Sequence, residues 1–226
     1  MRGLIRGILQ LAASVALFLV TRAFVVEMYK IPTPSMQRTL MVGDFLVVDK
    51  MVYGPEVPFT HFRFPALRQP GRGDVIVFKW PSDPTINFVK RVVGVPGDTL
   101  LMTNGVLRRN GRNVTERYVS HSSPETDPSV EEFRWQRDYL VKSLHASESY
   151  WPSRNNWGPL IVPDHDYFVL GDNRDNSLDS RYWGFVPDSL VRGRPLFVYF
   201  SYQPDSSSRW SWLGHARWRR FGTVIR

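Results

Sequence analysis

The chain of 226 residues contains no cysteine, so neither a disulfide framework nor a thiolate metal site can be built from it. It also lacks an HExxH pair and any paired histidine spacing suited to zinc. No GxxxxGK phosphate loop and no GxSxG nucleophile elbow occur. The five histidines are scattered through polar or terminal stretches and mark no Ser-His-Asp triad. Acidic residues are in deficit, 21 against 29 basic ones, which leaves a net charge of +8 and calls for an anionic partner. The basic residues lie mainly where lipid rather than nucleic acid would meet them. Arg2 and Arg6 flank an apolar N-terminus, and the tail RWSWLGHARWRRFGTVIR (209–226) interleaves arginine with tryptophan, as membrane interfaces do.

Lysine is scarce as well. Against 24 arginines stand only Lys30, Lys50, Lys79, Lys90 and Lys142. Arginine keeps its proton in proteins, whereas a desolvated lysine can give its proton up and act as a base. Lys90 lies in a strand pattern in which Ile86, Phe88, Lys90 and Val92 share a face, and Lys79 shares one with Val75 and Val77. Either lysine meets the test of an apolar setting, and the residues alone do not choose between them.

What the chain does have is one long apolar run. Residues 7–26, GILQLAASVALFLVTRAFVV, carry a single charge, Arg22, and as a helix would reach about 30 Å, the thickness of a bilayer's hydrocarbon layer. No small-x-small exit follows, so an uncleaved anchor over 1–27 is expected, with its N-terminus in the cytoplasm by the positive-inside bias and everything after residue 27 outside. Short Val/Phe/Tyr runs, 17 prolines and 16 glycines favour a β-rich body. Strands are expected in DFLVVDKMVYG (44–54), GDVIVFKWP (73–81), INFVKRVVGVPGDTLLM (86–102, with a Pro-Gly turn), DYFVLGDN (166–173) and RPLFVYFSY (194–202). Residues 105–163 are polar and without periodicity, as an insertion would be. The expected organisation is an anchor at 1–27, a first core part at 28–104, an inserted subdomain at 105–163, a second core part at 164–205 and a basic aromatic tail at 206–226.

Two motifs stand out. IPTPSMQRTL (31–40) places two prolines around Thr33 and then Ser35, and should hold that serine on a stiff, extended stretch just past the apolar run. GDNRDNSLDSRYWG (171–184) has the polarity of a calcium loop, but counting from Asp175 the sixth position is Ser180 rather than glycine and the twelfth is Val186 rather than glutamate. Its alternating acids and arginines suit a loop held by ion pairs and Asx turns.

Taken together, the anchor, IPTPSMQRTLMVGD, GRGDVIVFKWP, FVKRVVGVPGD and GDNRDNSLDSRYWG resemble the bacterial type I signal peptidases, membrane-anchored serine/lysine proteases. The resemblance implies a mainly β fold, in which a transmembrane helix leads into an antiparallel catalytic sheet carrying a variable insertion. It implies Ser35 as nucleophile and Lys90 as general base, an oxyanion hole made by the Ser35 N–H and the Thr33 hydroxyl, and Ser177 orienting the base. Asp172, Arg174, Asp179 and Arg181 would form the scaffold. It further implies no metal, no cofactor and no nucleic acid, with secreted preproteins and membrane lipids as partners. The location would be the bacterial cytoplasmic membrane, crossed once, with the catalytic part outside. A narrower job shares these motifs, maturation of a single exported substrate. A non-enzymatic tethered binding module would instead tolerate loss of both Ser35 and Lys90. The chain departs from the family's usual Ser-Met-x-Pro-Thr-Leu at Arg38, which stands where proline is expected.

Overall fold

The computed structural model describes residues 2–57, 60, 62–123, 126–141, 150–204 and 215–226. Lys142 and residues 206–214 of the tail lie outside the described residues. Helix α1 (Arg2–Phe24) is the apolar run, and its stretch Gly3–Phe24 is long and apolar enough to cross a membrane, with a mean hydropathy of 1.9. The run ends there because the next residues extend. Val25, and Val26 in strand β1 (Val26–Lys30), belong to the turn and sheet that follow rather than to the expected span.

Seven antiparallel strands form the main sheet: β1, β2 (Asp44–Asp49), β3 (Val75–Trp80), β4 (Asp83–Gly94), β9 (Asp166–Leu170), β10 (Val186–Pro187) and β11 (Val191–Ser201), in the order β1-β2-β11-β3-β4-β9-β10. β3 is apolar at consecutive positions because both its faces are covered. Val75 and Val77 join a core with Met36, Leu40 and Leu46, while Ile76 and Phe78 join another with Val92, Val169 and Val186. Pro195 sits inside β11, and the pairing with β2 slips between Pro195 and Phe197, the kind of irregularity a residue without an N–H requires.

A second sheet of four strands, in the order β7-β6-β5-β8, contains β5 (Thr99–Thr103), β6 (Val106–Arg109), β7 (Arg112–Asn113) and β8 (Trp157–Ile161). It has its own core, built on Leu100, Leu107, Trp157 and Leu160 and closed onto β9 by Phe168. Two residues of the described part of the tail reach inward. Ile225 joins the core behind β2, and Arg220 forms an ion pair with the buried Asp44.

Candidate active site

Ser35 reaches its position through two local rules. Ile31 prolongs the β1–β2 ladder, donating to Asp44 O at 2.8 Å and accepting from Gly43 N at 2.9 Å. Thr33 is extended (φ −126°, ψ 154°), as a residue before proline prefers, and Pro34 then opens a 3-10 turn over Pro34–Met36. The sequence suggested extended backbone throughout, whereas the chain turns at the proline whose fixed φ suits a first helical position. Met36 and Leu40 drive this turn by inserting into the core, at 1% and 0% exposure. Ser35 is left facing the opposite way, into a cleft of about 420 Å³ between residues 29–36 and residues 86–90 of β4. As the second residue of the turn, Ser35 has no carbonyl within that turn to receive its N–H.

Lys90 approaches from β4. Its Nζ donates to Ser35 Oγ at 2.7 Å and lies 5.2 Å from the centre of the Phe88 ring. Burial, opposed by the charges of Asp179 and Asp172 and reinforced by that of Arg181, lowers its pKa from 10.5 to about 8. Lys79, the other candidate base, is elsewhere: a third exposed, it faces Glu56 at 3.8 Å. Thr33 Oγ1 lies 3.4 Å from Ser35 Oγ, within the same turn.

The loop Gly171–Ser180 packs beneath the pair. A Cβ on Gly171 would come within 2.2 Å of Ser177 Oγ and 2.5 Å of Ser35 O, so only glycine lets the two serines come this close. Asp179 accepts from Gly171 N at 3.0 Å and from Arg181 Nε and Nη2 at 2.8 Å each. Burial alone would raise the Asp179 carboxyl, but Arg181 and these bonds outweigh it and leave the pKa lowered. Asp172 is gripped by Arg91 at 2.8 and 2.7 Å, and Arg174 by Glu116 at 3.0 and 2.6 Å. The hydroxyl of Ser177 is buried without a hydrogen-bond partner among the described residues. It lies near enough to Asp179 to help keep that group ionised, but no bond runs from it to Lys90.

Several residues of this assembly carried no signal in the sequence. Asn173 donates from its backbone to Ser35 O at 3.0 Å and from its side chain toward Pro34 O at 3.4 Å, tying the acidic loop to the nucleophile turn. Arg91, the partner of Asp172, was marked only by following Lys90. Residues 116–123 lie across both loops, with the Tyr118 ring 3.9 Å from the Arg91 guanidinium and Ser120 N donating to Asp172 O at 2.8 Å. Arg38 adopts φ 84°, a conformation closed to proline, and its Nη1 donates to Val119 O at 2.7 Å. The departure at this position is therefore a different turn, held from the strap above it.

Comparison with known proteins identifies the family. The family described as "Signal peptidase, peptidase S26" matches residues 4–200. Signal peptidase I of Pseudomonas aeruginosa is 41% identical over 83% of this chain and 69% of its own length. That of Pseudomonas fluorescens is 39% identical over 81% and 68%. That of Aquifex aeolicus is 32% identical over 87% and 84%.

Proposed function

The chain belongs to the peptidase S26 signal peptidases, serine endopeptidases that remove signal peptides from preproteins, and on that premise we propose the part each residue takes in the reaction. Ser35 is the nucleophile and Lys90 its general base. Neutral Lys90 Nζ takes the Ser35 hydroxyl proton as Oγ attacks the scissile carbonyl. The Ser35 N–H and the Thr33 hydroxyl hold the oxyanion. Lys90 then protonates the leaving amine, and a water activated by the same amine resolves the acyl-enzyme. Ser177, whose buried hydroxyl makes no bond to Lys90 in the resting geometry, orients that base by turning to accept from Nζ during the reaction. Asp172, Arg174, Asp179 and Arg181 position these groups without touching substrate. Residues 105–163 act as an accessory insertion whose strap, 116–123, presses the catalytic loops together.

The observation that carries the reading is one contact: an amine buried to 4% exposure, with its pKa lowered to about 8 by that burial, donating to a serine hydroxyl at 2.7 Å. A base so tuned is partly neutral near physiological pH. α1 anchors the protein in the bacterial cytoplasmic membrane, with lipid around it and the site on the outer side, where a preprotein's cleavage point emerges beside its own membrane-embedded signal.

The test is detergent-solubilised protein mixed with a preprotein carrying Ala at −3 and −1, the products mass-analysed. One cut after the −1 residue is expected, and none with Ser35→Ala. Cleavage that survives Ser35→Ala would reject the nucleophile. A reporter joined after Arg226 should be active only outside the cytoplasm; activity inside would reject the orientation.

A further inference from the structure

Where α1 meets the sheet, a second cavity of about 350 Å³ adjoins the catalytic cleft, reaching Ala23 in the last turn of α1 and sharing Tyr29 and Asn87 with the cleft. Four cations line it, Lys50, Arg63, Lys79 and Arg192, against two carboxylates, Glu27 and Glu56. Both carboxylates are already engaged: Glu27 with Lys50 at 3.5 Å, and Glu56 with Arg192 at 3.0 Å and Lys79 at 3.8 Å. Arg63 makes no ion pair among the described residues and spends three donors on the backbone carbonyls of Gly54, Asp188 and Val191. Arg192 is 13% exposed in its side chain, and its Nε is buried with no hydrogen-bond partner among the described residues. Burial, and then the charge of Arg192, lower the pKa of Arg63; burial likewise lowers that of Arg192. Partly buried positive charge in excess is costly until an anion joins it.

The position of the cavity identifies the anion. Ala23 is one residue from the end of the helix stretch able to cross a membrane, so the cavity lies at the depth where that helix leaves hydrocarbon. Exposed apolar side chains stand beside it: Met28 is 64% exposed, and Phe62 and Phe64, on either side of Arg63, are 59% and 45% exposed. The Phe64 ring meets that of Phe24 at 5.8 Å. Apolar side chains at the acyl boundary next to cations at phosphate depth make an interfacial site. The volume sits at the low end for small-molecule sites and suits a headgroup rather than an acyl chain. We propose that this cavity binds the phosphate of an anionic membrane lipid, holding one headgroup at the mouth of the catalytic cleft.

The proposal rests on α1 spanning a membrane, and the experiment reads the two separately. Full-length protein in neutral maltoside micelles is titrated with dihexanoyl phosphatidylglycerol, and binding is followed by phosphorus NMR. Saturable binding is expected, weakened about fivefold by Lys79→Gln and about 30-fold by Lys79→Gln/Arg192→Gln, each cation near a lipid phosphate contributing about that factor. Arg108→Gln, an exposed cation on the second sheet, should bind as the parent does. Unchanged binding in both Lys79 variants would overturn the site. So would inorganic phosphate, or dihexanoyl phosphatidylcholine, binding as tightly as the anionic lipid. If the variants instead raise KM for preproteins and leave lipid binding intact, the cavity belongs to substrate and the proposal fails. Flotation of the parent protein with vesicles tests α1 alone. Failure to float would reject the span, whereas flotation without saturable binding in micelles would reject the cavity.

Discussion

Lys90 and Arg91 are adjacent on β4, both cationic and both almost wholly buried, at 4% and 2% exposure. Their surroundings are opposites. Arg91 forks onto Asp172 at 2.7 and 2.8 Å, donates to Gly73 O and Arg226 O, and lies under the Tyr118 ring. Lys90 has a serine hydroxyl and an aromatic face, with no carboxylate in contact. Alternation along a strand sends neighbouring side chains to opposite faces, so Asp172 and the carbonyls of Gly73 and Arg226 can saturate one cation and leave the other bare. A saturated buried cation is a rigid strut. A bare one is driven toward its neutral form, and for lysine that form is a base.

The largest effect tests the bare cation. Lys90→Arg should be as inactive as Lys90→Ala, each lowering kcat by about 10⁴-fold, because a guanidinium keeps the charge but accepts no proton. In the parent enzyme kcat/KM should rise with pH, about tenfold per unit, and level off near 8, where Lys90 loses its proton. A limb centred near 10 would mean an amine that is not desolvated. Next comes the saturated cation. Asp172→Ala leaves Arg91 buried and unpaired, and denaturant unfolding should show a loss of about 3–5 kcal/mol. Pairing that change with Arg91→Met should restore most of the stability; a double variant as unstable as the single one would show that Asp172 acts through something other than this ion pair.

Thr33 separates a chemical role from a conformational one. Its extended backbone would suit valine equally well, so Thr33→Val should leave the turn and the melting temperature intact. With the hydroxyl gone, kcat should fall by about 10²–10³, the range for losing one oxyanion donor, while KM changes little. Thr33→Ser should keep most of the activity. A fully active Thr33→Val would remove Thr33 from the oxyanion hole.

The contrast between Lys90 and Arg91 also marks what could be read from the sequence. The apolar run, the main strands and the serine after two prolines each announce themselves through composition or local backbone rules, and they place Ser35 and a buried lysine in view. Periodicity could not choose Lys90 over Lys79, because both alternate with apolar residues. The choice lies in pairing partners, since Lys79 finds Glu56 at 3.8 Å and Lys90 finds Ser35. Arg91, Asn173 and Tyr118 were silent for a related reason. Their roles exist only once β4, the 171–180 loop and the 116–123 strap, separate stretches of the chain, are brought together. Of the second sheet only β5 was legible, after the Pro-Gly turn; the other three strands are two to five residues long and carry arginine, asparagine, or glycine and proline, so no strand pattern shows in them. The turn at Pro34–Met36 was hidden by the competing preference of prolines for extended neighbours.

The smallest effect is the cost of keeping Lys90 bare. In the unfolded chain this amine has its ordinary pKa of 10.5, and in the folded protein about 8. The unfolded state therefore binds the proton more tightly, so stability rises with pH between about 8 and 10.5, and below 8 the full penalty is present. The difference corresponds to about 3 kcal/mol, at 1.36 kcal/mol per unit. Lys90→Met has similar volume and no charge to desolvate, so at pH 7 it should be inactive yet more stable than the parent, by up to that amount less about 1 kcal/mol for the lost bond to Ser35. The gain should shrink as pH rises, vanish a little below 10 and give way to a loss of about 1 kcal/mol above 10.5, where the parent lysine is neutral in both states and only the bond to Ser35 remains. Matched urea titrations at pH 7 and pH 10 would read it. A variant less stable than the parent at pH 7, or a gain independent of pH, would show that Lys90 carries no desolvation strain, and the contrast with Arg91 would lose its energetic basis.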